Sequence, residues 1–330
     1  MSGFRSGFVA VVGRPNVGKS TLVNSMVGTK VTIVSPRPNT TRLPVRGVLN
    51  RPGVQVVFVD TPGLHKPRTA LGERMNESAT SSLDDVDLVV AMVEANSSVG
   101  PGDRMVLAYA ARRVRAMDRS ARLMAELQAA RPGSGPEDAG EAPSALGRPC
   151  LFVVVNKIDK VGGDGVLGHL ATVSAEIDSL DAEHGGDPLP VEYFPVSAAT
   201  GKGVDGLIHA ITDRMPEGPQ YYPDGMVTDV AEAFWVADLV REELLHRVRD
   251  ELPHSIACRV TEWEWPRVRC EILVERDSQK GIVIGQGGET LKEVGTAVRA
   301  QMPEGAFLEL FVRVEKRWQH REDALDRLGF

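Results

Sequence analysis

The sequence predicts an α/β chain: a doubly wound, mostly parallel sheet followed by a smaller α+β domain. Three observations carry this. Residues 8–12, 54–59, 88–93 and 151–155 are short, β-branched and nearly all apolar, as strands buried on both faces of a parallel sheet are. Helix-like stretches at 19–27, 102–115, 166–180 and 204–215 follow them, and such alternation builds βαβ units. After Met215 the rhythm changes to a helix, two alternating strands, two helices and a last strand.

At 330 residues and 35.7 kDa the chain fits about two domains. No apolar run reaches the length of about 18 residues that a membrane span needs. The first twelve residues lead straight into a strand, without a cleavage pattern, so a cytoplasmic protein is expected. Cys150, Cys258 and Cys270 lack metal-ligand spacing and read as buried, reduced thiols. The net charge is −7, and residues 251–330 hold 12 Lys and Arg against 14 Asp and Glu, a net of −2. Bulk electrostatics therefore excludes nonspecific nucleic-acid binding, and any such contact must be local and geometric.

The first strand runs into Gly13-Arg14-Pro15-Asn16-Val17-Gly18-Lys19-Ser20, and a helix follows. Strand, GxxxxGK[ST] and helix together form a phosphate cradle. Gly13 and Gly18 let the backbone aim its N–H groups at phosphate oxygens. Lys19 supplies a point charge and Ser20 a hydroxyl for Mg²⁺, while Asn16, Val17 and Thr21 complete the cradle. Thr40 and Thr41 come next, where a threonine can hold the metal and the γ-phosphate only while the triphosphate is intact; Thr41 is preferred. The second strand ends in Asp60-Thr61-Pro62-Gly63. Asp60 suits a carboxylate on Mg²⁺, and the Gly63 N–H can sense the γ-phosphate.

The strand at 151–155 runs into Asn156-Lys157-Ile158-Asp159. A carboxylate can accept two hydrogen bonds from guanine N1–H and N2, a pair that adenine does not offer, so Asp159 selects GTP and GDP. Lys157 can lie along the purine, and Asn156 can tie its loop to the cradle. Ser197, Ala198 and Ala199 follow another strand-like run and bring backbone N–H groups toward guanine O6.

Residues 131–148 have no hydrophobic period and are rich in Pro, Gly and Ala, which reads as a loop or disordered insert. The arginines at 112, 113, 115, 119 and 122 before it read first as a solvated helix face, and second as an RNA-contacting one. Breakers at 216–225 place the domain boundary, giving 1–218 with an insert near 116–147, then 226–330. Val268, Cys270, Ile272 and Val274 share one strand face; Leu308, Leu310, Val312 and Val314 share another. Gly285-Gln286-Gly287-Gly288 lies between two helices, where a GxxG turn lets a nucleic-acid backbone approach closely.

With these residues in place the chain resembles the Era family of bacterial GTPases that assist small ribosomal subunit assembly. The resemblance rests on the motifs above, on Leu64-His65-Lys66-Pro67, and downstream on Tyr221-Tyr222-Pro223-Asp224, residues 241–245 and Ile282-Val283-Ile284-Gly285. It implies a P-loop GTPase domain followed by a type II KH domain that holds the 3′ end of small-subunit 16S rRNA. Lys280 and Lys292 flank the loop and join Gly285, Gln286, Gly287 and Gly288 as RNA-binding residues. The implied partners are that rRNA and the 30S subunit. The chain is expected to be a monomer in the cytoplasm, with room for a peripheral contact at the inner membrane face. Three departures stand out: an insertion around residues 116–147, Leu43-Pro44 after the switch threonines, and the uncharged middle of the GxxG loop.

Lys19, Thr41 and Gly63 are the residues expected to act on the triphosphate. Leu64 stands where many GTPases carry a water-orienting glutamine, so slow intrinsic hydrolysis is expected. Related GTPases with Asn at the Asn16 position use a potassium ion for charge, which makes K⁺ a candidate cofactor beside Mg²⁺. Two competing readings are a metabolic P-loop kinase or ATPase, and an RNA-binding scaffold with an inert nucleotide fold. Asp159→Asn separates the first of these from a GTPase: competition binding should show preference moving from guanine toward xanthine nucleotides, and an unchanged preference would favour the kinase.

Overall fold

The computed structural model describes residues 3–129, 148–185, 187–248 and 252–330. They divide into two compact units, 1–32, 44–64 and 78–228 in the first, 33–43, 65–77 and 229–330 in the second.

The first unit is built on six strands: β1 (Arg5–Gly13), β2 (Val45–Arg51), β3 (Val54–Asp60), β4 (Leu88–Glu94), β5 (Leu151–Asn156) and β6 (Val191–Pro195), in the order β2-β3-β1-β4-β5-β6. β1 pairs in parallel with β3 and β4, and β4–β5 and β5–β6 are also parallel, while β2 runs antiparallel along β3. Every residue of β3 and β5 is buried, so their unbroken apolar runs reflect cover on both faces. That cover comes from α1 (Lys19–Val27), α3 (Pro101–Ala129), α4 (Gly163–His184) and α5 (Val204–Asp213), with α2 (Ala70–Ser81) between the first two in sequence.

Strand alternation sorts the two layers. Val9 and Val11 face Leu22, Met26, Leu207 and Ile211 of α1 and α5. Ala10 and Val12 face Val106, Ala110, Val173 and Ile177 of α3 and α4. Order reverses at β1, whose neighbours β3 and β4 lie on either side, and a ligand site is expected beyond its carboxyl end.

The second unit contains α6 (Glu232–Arg247), β7 (Ala257–Glu264), β8 (Arg267–Val274), α7 (Asp277–Ile284), α8 (Glu289–Arg299), β9 (Phe307–Val314) and α9 (Glu322–Leu328). Its sheet runs β7-β8-β9, antiparallel in the first pair and parallel in the second. Val268, Cys270, Ile272 and Val274 face Leu239, Val240 and Leu244 of α6 and Val294 and Val298 of α8. The opposite face of β8 carries Arg267, Arg269 and Glu271 before Leu273, and Glu271 is buried against Arg259 at 2.6 Å. A smaller core joins Leu71 and Met75 to Ala257, Leu273, Trp318 and Leu325.

The structure adds to the expected elements in physically intelligible ways. The helix expected over 102–115 runs on to Ala129, so residues 116–129 of the anticipated insert are helical; residues 130–147 lie outside the described residues. Its arginines are largely tied down: Arg115 pairs with Asp181, and Arg122 pairs with Asp118 and Asp187 at 3.0 and 2.9 Å. Arg112 and Arg119 remain exposed. The grouping into units is discontinuous because Ile33, Leu71 and Met75 bury themselves in the second unit's cores. Cys150 and Cys270 are buried thiols, whereas Cys258 is half-buried.

Trp318 is fully buried, and its indole N–H donates to the Ser255 carbonyl at 3.0 Å. Trp318→Ala should cost about 3–5 kcal/mol through the cavity and the lost bond, read as a lower denaturant midpoint for the second unit.

Candidate functional site

At the carboxyl end of β1 the chain turns through residues 14–18 and enters α1. Asn16 (φ 68°) and Gly18 (φ 99°) both take left-handed backbone conformations, which strains the asparagine and suits the glycine. A Cβ on Gly18 would collide with Asn156 Nδ2, so only glycine fits there. Lys19 is buried, and its Nζ donates to the carbonyls of Gly13 and Arg14 at 3.2 and 3.1 Å. Burial pushes its ammonium down to about 8, against the pull of the nearby Asp60 carboxylate. Val17 is buried in the core, while Ser20 and Thr21 sit half-buried in the first turn of α1.

Gly63 packs onto this loop so closely that a Cβ would lie 2.7 Å from Pro15 N, and Leu64 N donates to Gly13 O at 3.3 Å. The Leu64 side chain is buried among Ala10 and Val12, in the apolar layer. Asp60, fully buried at the end of β3, accepts a hydrogen bond from Thr32 Oγ1 at 2.9 Å. The hydroxyl of Ser20 and the carboxylate of Asp60 are hard oxygen donors of the kind Mg²⁺ prefers. Among the described residues no group of three or more His, Cys, Asp or Glu is placed to hold a metal ion; a magnesium ion shared with phosphates and water needs none. Thr41 is buried and belongs to the second unit. Thr40 is held in a local turn, its hydroxyl donating to Arg37 O at 2.7 Å.

The loops after β5 and β6 meet the cradle from the other side. Asn156 Nδ2 donates to Val17 O at 2.7 Å, and its Oδ1 accepts from Ala198 N at 2.9 Å. Lys157 (φ 65°) reaches Asn16 O at 2.8 Å and Glu94 Oε1 at 2.5 Å. Ser197 Oγ donates to Asp159 Oδ1 at 2.6 Å, and this bond holds the exposed Asp159 carboxyl below its ordinary range. An ionised, pre-aimed carboxylate is what a guanine edge requires. Ala199 is exposed beside it.

The GxxG segment joins α7 to α8. Gly285, Gly287 and Gly288 have φ of 76°, 62° and 82°, and Gln286 and Gly287 are exposed. Lys280 on α7 is half-buried and Lys292 on α8 is exposed. Ile282 is exposed too, an apolar surface beside the loop.

Sequence reasoning missed four members of these networks. Arg14 Nε donates to the buried Asp103 carboxylate at 2.6 Å, which also accepts from Gly100 N at 2.9 Å. This ties the cradle to the start of α3. Arg14 was visible inside its motif, and Glu94 as the carboxylate ending an apolar run; Asp103 and Thr32 carry no sequence signal.

Residues 8–121 match the family described as 50S ribosome-binding GTPase, and residues 251–319 match the KH domain family. The chain is 43% identical to GTPase Era of Mycobacterium sp. (strain KMS) over 342 residues, covering 100% of both. It is 41% identical to GTPase Era of Mycobacterium tuberculosis (strain ATCC 25177 / H37Ra), again over 342 residues and all of both chains. A solved variant of Aquifex aeolicus Era bound to GDP and AlF4⁻ is similar with a TM-score of 0.79 and 32% identity, over 98% of this chain and 99% of that one. A structure of Era with MgGDPNP and nucleotides 1506–1542 of 16S ribosomal RNA is similar at TM-score 0.79 and 32% identity, over 99% of each chain.

The lowered Lys19 value has a direct consequence. Phosphates take the charged ammonium, so binding consumes a proton wherever free Lys19 is neutral, and affinity falls as pH rises through about 8. Titration with a fluorescent GTP analogue from neutral to alkaline pH should show this fall, by at most about tenfold per pH unit. Lys19→Arg should bind more weakly with a flat alkaline limb.

Proposed function

We propose that this chain, which belongs to the Era family of GTPases, uses GTP to control a grip on the 3′ region of 16S rRNA and so assists assembly of the 30S subunit. One observation carries the reading: the Asn156–Asp159–Ser197 guanine reader and an exposed GxxG turn between two helices lie on the same chain. The solved Era that holds MgGDPNP together with a 16S rRNA fragment supports it.

In the nucleotide cycle, Lys19 and the cradle N–H groups hold the phosphates, and Asp159 with the Ala198 backbone holds the base. Ser20 and Asp60 hold Mg²⁺, and Thr41 keeps the role its place in the sequence gives it. When bound, the ion neutralises charge across the β- and γ-phosphates. Gly63 reports the γ-phosphate through its backbone N–H. The buried Leu64 side chain offers no group to orient water, which supports slow intrinsic turnover. Asn16, exposed at the cradle's tip, makes K⁺ the cation to test.

At the other site, Gly285–Gly288 admits the RNA backbone, with Lys280 and Lys292 supplying local charge. No helix among the described residues is long and apolar enough to cross a membrane. A monomer working in the cytoplasm, with any membrane contact peripheral, suits this role.

Crosslinking in cells, followed by sequencing of bound RNA, tests the reading. Reads should gather near the 3′ end of 16S rRNA and drop about tenfold or more with Gly287→Asp, which sets a carboxylate against phosphate. Reads spread evenly over other RNAs would overturn it. Hydrolysis should be faster in potassium than in sodium buffer, and equal rates would remove potassium from the account.

A further inference from the structure

The second unit contains a cavity of about 460 Å³ against α2 and the turn carrying Gln319. Arg42, His65, Lys66 and Arg68 line it, with Thr69 and Gln319 as hydrogen-bonding neighbours, and no Asp or Glu lines it among the described residues. Lys66 and Arg68 are exposed, and neither forms an ion pair or side-chain hydrogen bond among the described residues. Arg74, Arg241, Arg247 and Arg269 of this unit, by contrast, each pair with a carboxylate. On a chain of net charge −7, Lys66 and Arg68 side by side at one cavity without a carboxylate call for an anion.

Arg42 strengthens the case. It is buried, donates to Ile256 O at 2.8 Å and lies over the Trp318 and Phe330 rings at 5.5 and 6.0 Å. Burial, and then the neighbouring Arg241 guanidinium, push it down to about 9.

We propose that this cavity is a second anion site, built wholly from the second unit, that takes the diphosphate group of a small, nucleotide-sized ligand. The volume falls within the range of about 300–1,000 Å³ usual for small-molecule sites. A guanidinium fork recognises phosphate oxygens in pairs, and the Lys66 ammonium adds a point charge. Lys66 and Arg68 together with Arg42 and a histidine match a compact polyanion better than a phosphodiester carrying a single charge.

The test titrates inorganic pyrophosphate calorimetrically into the full-length chain carrying Lys19→Ala, which disables the P-loop. One binding event is expected. Lys66→Ala and Arg68→Ala in that background should each weaken it about tenfold, the effect of one charge-assisted contact. Arg112→Ala, at an exposed arginine elsewhere, should leave it unchanged. The absence of binding, equal binding by the Lys66→Ala/Arg68→Ala double variant, or an equal loss with Arg112→Ala would each overturn the site. Displacement of pyrophosphate by an equimolar single-stranded RNA 12-mer would overturn the small-ligand assignment in favour of RNA backbone phosphate.

Discussion

The candidate nucleotide site depends on one buried side-chain amide. Asn156 ends β5, and from there its two polar atoms reach Val17 in the phosphate loop and Ala198 in the loop after β6. An amide taken out of water is costly unless both ends are bonded. Satisfying both requires the ends of β1, β5 and β6 to lie along one edge of the sheet, which their parallel pairing through β4 provides. The same amide dictates glycine at position 18, since a Cβ there would occupy its nitrogen's place. Sheet topology, loop sequence and base recognition are thus coupled through a single residue.

Around that amide, charge is fixed in position before any ligand arrives. Glu94 and the Asn16 carbonyl hold Lys157, Asp103 holds Arg14, and Ser197 holds Asp159. Such pairs spare the site the cost of ordering long side chains on binding. They also let an acidic protein present cationic groups locally. The GxxG loop is built differently: a bare, positively twisted backbone with only Lys280 and Lys292 near it in sequence, so the contact proposed for it is one of shape more than of charge.

Much of this was legible in the sequence because it followed strong local rules. The four apolar runs became β1, β3, β4 and β5, and the alternation after residue 266 became β8 and β9. Other elements gave weak signals. β2 carries Arg46, Gly47 and a polar carboxyl end, α2 is polar along most of its length, and α9 spans 7 residues, too short for a period to show. The candidate site residues named by motif come together in the fold through Asn156, Ser197 and the loop after β1, a grouping that the fixed spacing of phosphate and guanine motifs makes visible in sequence. Thr32 and Asp103 were not visible there, because each acts through a partner 28 or 89 residues away, a distance only the fold closes. The packing of Ile33, Leu71 and Met75 into the second unit was equally hidden, since an apolar residue in a loop does not announce which core it joins.

The coupling through Asn156 is tested most directly by measuring GDP affinity and denaturant stability together for Asn156→Ala. Losing the amide leaves the Val17 carbonyl and the Ala198 N–H without their partner, at about 1–3 kcal/mol for each buried orphan. The account predicts GDP binding weakened roughly tenfold to a thousandfold or more, with the second unit's unfolding midpoint unchanged. GDP affinity equal to that of the unsubstituted chain would contradict it.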